Sequence, residues 1–437
     1  MRAGLWPGGL RGPLVGWLYL SVAAIGGLVS GATVLQNLDR SSAGIFFLAQ
    51  GYLAFVLLFD VGLYVTGVRE IAFAFARPVS GSAGRRALVV ASRFANARSF
   101  GVLALLVAAI LLGGSLALVE GARLREQLAA LLISCLVGIP SLIAFNHQAA
   151  LEGTGRYHLD RLSATAGTAL NSGLISVAAL ASHDLLVVSA CWIGAVIAVS
   201  VLKFIVLRAS VPRASFIGRP SIRDLRSALR RSGSIFAVQL GGVMTKGVQF
   251  PIISATQGVA GIGPYIFAVR IAGTIDSAIA VLGGAQRATF VHHISGGRLQ
   301  EARTLALTTV GLVGVLAAIA FLLFGFALPA LARRFAPGLP LDGAPFLIIA
   351  ADMAILCVAG TMSLFVIASG RNPFARIVLL NGAVSILAVS ALTPRFGMAG
   401  AATGQMLATL FVSGWFNSLE FAKTIRGLKR GVDGGEI

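Results

Sequence analysis

Long apolar runs, broken at short intervals by arginine-rich or glycine- and proline-bearing stretches, dominate the chain. A membrane-spanning helix needs about 20 apolar residues, and on that criterion the pattern predicts about twelve helices. They fall at 14–36, 43–68, 100–119, 128–150, 162–182, 185–206, 234–256, 261–287, 304–330, 345–369, 376–393 and 398–419. The longest stretches between them, 69–99 and 207–233, are too short for folded domains of ordinary size. The expected fold is therefore an all-α polytopic membrane protein. The first apolar run follows Arg2 and Arg11 but exceeds the 7–15 residues, roughly, of a signal-peptide core, so it is read as an uncleaved first span.

Weak internal matches recur at nearly one spacing, 215 to 217 residues. Gly155, Arg156 and Arg161 in "GTGRYHLDRL" recur as Gly370, Arg371 and Arg376 in "ASGRNPFARI", 215 residues later, and "AGI" at 43–45 recurs at 260–262. Asp60 and Asp276 fall one step out of that register. The common offset predicts two six-helix lobes. An even number of spans per repeat gives both lobes the same orientation, related by a pseudo-two-fold axis along the membrane normal, as in transporters that work by alternating access. The predicted division is an N-terminal six-helix lobe over 1–206, a basic cytoplasmic linker over 207–233, a C-terminal six-helix lobe over 234–419, and a cytoplasmic tail over 420–437.

Composition sharpens the class. The chain is 57% hydrophobic and 12% charged, with a mean hydropathy of +0.89, outside the range of soluble globular domains. Its net charge of +19 is mostly topological. Arginines crowd the 69–99 and 207–233 segments, which are cytoplasmic if the N-terminus is inside, whereas few basic residues fall on the other side. Both termini are then cytoplasmic. No aromatic-interleaved basic patch accompanies these arginines, which argues against nucleic acid as a partner. The three cysteines, Cys135, Cys191 and Cys357, lie inside predicted spans and are read as packed small hydrophobes rather than a disulfide framework.

The candidate chemistry is charge inside the membrane. Lys246 lies about twelve residues, roughly 18 Å, into the seventh predicted span, and Arg270 about nine residues, roughly 14 Å, into the eighth from the opposite side. A lone Lys or Arg at mid-depth costs about 2.5–3.5 kcal/mol, so each should face a wet cavity or a partner. Gln239, Gly242, Lys246 and Gln249 fall on one stripe of a continuous helix, and Arg270, Thr274 and Ser277 on another. Pro251 and Pro264 mark expected breaks on either side of the connection between these helices. Lys246, Arg270, Gln239, Gln249 and Thr274 are thus the candidate substrate-binding residues, suited to a phosphate or carboxylate. The competing reading pairs Lys246 with Asp276 or Asp352 as a packing device. Asp60, Asp276 and Asp352 are the carboxylates within the spans. Each is a candidate for coupling to H+ or Na+, or for capping and pairing; no other cofactor is expected. "HHIS" at 292–295 has no further ligands at metal spacing, and the glycine pairs match no phosphate-cradling loop.

The stretch from Ala43 to Ala76, through Gly44, Asp60, Gly62, Leu63, Arg69, Glu70 and Ile71, resembles the second helix of bacterial polysaccharide flippases of the multidrug/oligosaccharidyl-lipid/polysaccharide (MOP) exporter superfamily. "GPYIFAVRIAG", through Tyr265, Ala268 and Arg270, is similar to the eighth. Ala43 stands where that family often has tyrosine, and "GGAQRATF" lacks a proline usual near the end of helix 8. The resemblance implies translocation of a polyprenyl-pyrophosphate-linked oligosaccharide through a cationic central cavity, with no enzymatic chemistry. The implied partners are the lipid-linked glycan, membrane lipid and the polysaccharide polymerase machinery. A cation-coupled small-molecule exporter of the same superfamily is the second expectation. A membrane-embedded glycosyltransferase or polymerase is the third, disfavoured by minimal outer loops.

Overall fold

The computed structural model describes residues 11–60, 62–64, 67–68, 71, 101–116, 118–210, 222–327, 329–330, 334, 343–369 and 373–434. Among them, nine helices are long and apolar enough to cross a membrane, and a tenth, Gly101–Leu116, is shorter. The elements are α1 (Arg11–Asn37), α2 (Arg40–Val56, extended by a 3-10 turn, Leu57–Asp60), α3 (Gly101–Leu116), α4 (Ala122–Gly153), α5 (Tyr157–Ser182) and α6 (Leu185–Ser210). There follow α7 (Ile222–Lys246), α8 (Gln249–Gln257), α9 (Ile262–Ser295), α10 (Leu299–Leu322), α11 (Gly343–Ala368), α12 (Phe374–Ala408) and α13 (Trp415–Gly434). The protein is an all-α polytopic membrane protein. Among the described residues, each of the twelve predicted apolar segments is mostly helical. The 69–99 segment lies outside the described residues except for Ile71; of the 207–233 stretch, 207–210 and 222–233 are helical and 211–221 lie outside.

Two differences from the expected spans have clear causes. The segment 234–256 is not one helix: α7 ends at Lys246, Gly247 and Val248 form a turn, and α8 begins at Gln249. Pro251 and Pro264 do not make the breaks. Each is the third residue of its helix, α8 and α9, where a missing N–H costs nothing because the first turn has no carbonyl to bond. The segments 376–393 and 398–419 are joined at Gly397, whose φ of 57° and ψ of −137° interrupt the helix. A Cβ on Gly400 would meet Leu392 and one on Gly404 would meet Ala388 and Val389. Along one straight helix, residues 388 and 404 would be about 24 Å apart, so the chain reverses at Gly397 into a tight helical hairpin. Only glycine takes that φ without penalty.

The chain forms two compact units, one of Met1–Gln239 with Val259–Gly263 and the other of Leu240–Gly258 with Pro264–Ile437. In the first, α1 packs along α5, α5 on α6, and α4 on both α2 and α6. Glycines set the closest approaches: a Cβ on Gly26 would sit 2.5 Å from Ser172 Oγ, and one on Gly138 would meet Val56, the small-residue contact that lets helices approach without a hydrophobic driving force. Asp39 caps α2, accepting from the Ser42 N–H at 2.9 Å; hydrogen bonds from Ser42 hold its carboxyl below the usual carboxylate range. In the second unit α10 packs on α11, α11 on α12 and α13, and α12 on α8, around Phe290, Phe365, Phe374 and Phe421. Gly241, 215 residues after Gly26, packs against Val378 of α12, and Gly382 against Met244. The first and fifth helices of each half thus meet in the same way.

Candidate functional site

Polar side chains gather at one place in the second unit. The end of α7 delivers Lys246, whose ammonium lies 3.9 Å from Asp276 on α9. The pair is loose and open: the lysine side chain is 49% exposed and the aspartate 22%. Asp276 also accepts from the Cys357 thiol of α11 at 3.0 Å, so Cys357 is a polar partner and not only the packed apolar residue expected. Asp352, five residues earlier on α11, is buried and within electrostatic range of both Lys246 and Asp276. Its Oδ1 has no hydrogen-bond partner among the described residues.

Arg270 is exposed, and its guanidinium has no ion-pair or hydrogen-bond partner among the described residues. It precedes Asp276 by six residues, about 240° around α9 and about 9 Å along it. The two cations therefore do not share one carboxylate. Lys246 is committed weakly and Arg270 not at all, which leaves positive charge available to an anion.

The other expected residues separate. Gln249 does not continue the Lys246 stripe, because the turn at Gly247–Val248 resets the helical phase. It is buried, bonded through Nε2 to the Lys246 carbonyl at 2.9 Å and accepting from Tyr265 Oη at 2.7 Å. It clamps α8 to α9 and positions the end of α7. Thr274 and Ser277 return their hydroxyls to the carbonyls of Arg270 and Gly273. Gln239 lies seven residues before Lys246 on α7, in the stretch that belongs to the first unit, with a buried Oε1 that has no partner among the described residues. Asp60 sits in the 3-10 turn after α2 and accepts from the Tyr64 N–H at 3.0 Å. His293 of "HHIS" lies near the end of α9, 3.0 Å from Glu301. No group of three His, Cys, Asp or Glu able to hold a metal occurs among the described residues.

A second cluster, in the first unit, was not anticipated. Lys203 of α6 is 5% exposed and lies 2.8 Å from Asp160 of α5, which is fully buried. Lys203 also donates to Gln148 at 3.0 Å. Gln148 donates to Tyr64 Oη at 2.9 Å, which in turn donates to Glu152 at 2.6 Å. Arg161 closes the network on Glu152 at 2.9 Å and lies over the Tyr157 ring. Its two cations and two anions balance, so the network has no charge to spare for a ligand. The signal for Lys203 was the one that drew attention to Lys246, a lysine inside an apolar helix.

No protein-family model and no curated protein matches this sequence. The fold, by contrast, is shared with solved structures. An inward-facing multidrug resistance MATE-family transporter of the MOP superfamily superposes with a TM-score of 0.71 at 14% identity, covering 95% of this chain and 99% of that one. The lipid II flippase MurJ, in an inward closed conformation, gives 0.68 at 12% identity over 95% and 90%. A MOP-superfamily transporter from Pyrococcus furiosus, described as having a binding pocket of reversed polarity, gives 0.56 at 14% identity over 97% and 95%. At these identities the likeness is one of fold, and the fold is that of MOP-superfamily transporters.

Proposed function

We propose that the protein is a flippase that moves a lipid carrying an anionic head group across the membrane by alternating access. Its cargo is a polyprenyl-pyrophosphate-linked oligosaccharide and its location the bacterial inner membrane, with both termini cytoplasmic. The observation that carries this reading is an exposed Arg270 with no partner among the described residues, with a half-exposed, loosely paired Lys246 in the same unit. A cation left unpaired at membrane depth costs energy and is kept where it binds something. The pyrophosphate supplies the negative charge that Arg270 lacks and that Lys246 meets only loosely in Asp276, while the polyprenyl chain stays in the hydrocarbon. The fold, shared with drug exporters and with a lipid II flippase, is compatible with either class of cargo, and the unpartnered Arg270 favours the anionic one.

A cation-coupled small-molecule exporter is the second reading, and Asp352 favours it. A buried carboxylate with an unsatisfied oxygen is the group a coupling ion would use. The two readings part in cells. For the flippase, Lys246→Ala and Arg270→Ala abolish glycan export without loss of membrane insertion, and deleting the gene strands lipid-linked repeat units on the cytoplasmic side. Unchanged export in both variants, or a deletion phenotype confined to drug sensitivity, refutes it.

A further inference from the structure

The second unit carries a groove that the head-group site does not explain. It encloses about 730 Å³ between α10, α11 and the start of α13, and its wall is built from small or apolar residues including Gly314, Ala318, Ala354, Gly414 and Trp415. The Ser418 hydroxyl in that wall is spent on the Gly414 carbonyl at 2.7 Å. Apart from the Trp415 indole N–H, the groove offers a polar ligand little to bind, and such a ligand would lose its water on entering.

We infer that this groove seats the polyprenyl chain of the cargo, an inference that rests on the flippase reading above. Length argues for a lipid chain. Along α11 the groove runs from Ala351 to Met362, eleven residues or about 17 Å, across the middle of the predicted 345–369 span and about half of a hydrocarbon core about 30 Å thick. A partner helix would need the full thickness. At ~30 Å³ per water-sized group, the space holds on the order of two dozen such groups, a stretch of a long polyprenyl chain with the remainder in the bilayer.

Position argues for the cargo's chain over that of a bulk phospholipid. Ala317, Phe321 and Ala354 line the groove and also a narrow crevice that ends on Asp276 and Cys357, and Asp276 holds Lys246. One layer of side chains thus separates the seat of the chain from the pair that handles the head group. A chain in the groove is held beside the site its own head group must reach.

The test uses the full chain in nanodiscs with a diazirine-bearing undecaprenyl phosphate. Adducts are expected on groove residues of α11 and α13, competed away by unlabelled undecaprenyl phosphate but not by phosphatidylglycerol. A Cβ on Gly314 meets nothing within 4 Å, so Gly314→Phe fills the groove without a backbone clash and should lower labelling about five-fold or more at an unchanged melting temperature. Adducts elsewhere, equal competition by phosphatidylglycerol, or full labelling of a folded Gly314→Phe variant overturns the assignment. The wild-type adduct map decides by itself if that variant does not fold. Groove labelling that persists while glycan export ignores Lys246 and Arg270 sinks the flippase reading and leaves the groove standing.

Discussion

Replacing Asp276 with asparagine separates a binding lysine from a structural one. At 3.9 Å, the Coulomb attraction of the Lys246–Asp276 pair is about 1 kcal/mol in water and about 4 kcal/mol at an effective dielectric of 20. Half the lysine side chain is exposed, which places the pair near the lower figure. An anionic head group must displace Asp276 or share Lys246 with it. Removing that competition returns about 1 kcal/mol, a gain of roughly five-fold in affinity. Asparagine keeps an oxygen to accept the Cys357 thiol, so the fold loses little. The assay is calorimetric titration of the detergent-solubilised chain with a short-chain prenyl diphosphate, at two salt concentrations. Tighter binding in Asp276→Asn, with the gain shrinking at high salt as exposed charges are screened, is the expected outcome. Equal or weaker binding by a folded Asp276→Asn would mean that Lys246 serves packing, and the head-group assignment would fall with it.

Two further predictions concern stability. Lys203→Met leaves Asp160 buried with Arg161 as its nearest cation, at 3.8 Å, so it should cost about 3–5 kcal/mol, while Lys203→Met with Asp160→Asn recovers most of the loss; a melting series in detergent on the singles and the double closes the cycle, and additive losses refute the coupling. Gly404→Ala should destabilise by about 1–3 kcal/mol, since its Cβ would stand 2.7 Å from the Val389 backbone nitrogen, whereas Gly360→Ala, with open space around it, should change little; equal melting temperatures for the two would contradict the hairpin at Gly397.

Apolar run length alone marked where helix is found among the described residues, because in a bilayer every backbone polar group must bond within its own helix, and a helix is then the form a long apolar run takes. The same reasoning flagged Lys246 and Arg270: a charge is conspicuous in a sequence where almost none is tolerated. What it could not supply was phase across a break. The Lys246–Gln249 stripe assumed an unbroken helix, and two residues of turn at Gly247–Val248 put Gln249 into the packed interior on Tyr265. Proline looked like the breaker, yet at a helix start it is harmless, and the reversal at Gly397 turned on a single positive φ.

Partnership was likewise a tertiary matter. Asp276 and Asp352 were both open to Lys246 by sequence, and distance chose Asp276. Lys203 and Asp160 are 43 residues apart on different helices, and only the packing of α5 on α6 makes them a pair. Sequence alone thus determined that this is a helical membrane protein carrying misplaced positive charge, since the cost of burying polar groups in hydrocarbon is paid locally, residue by residue. Which charges are neutralised and which stay available was decided by the tertiary structure, because an ion pair depends on a few ångströms between helices that no local pattern encodes.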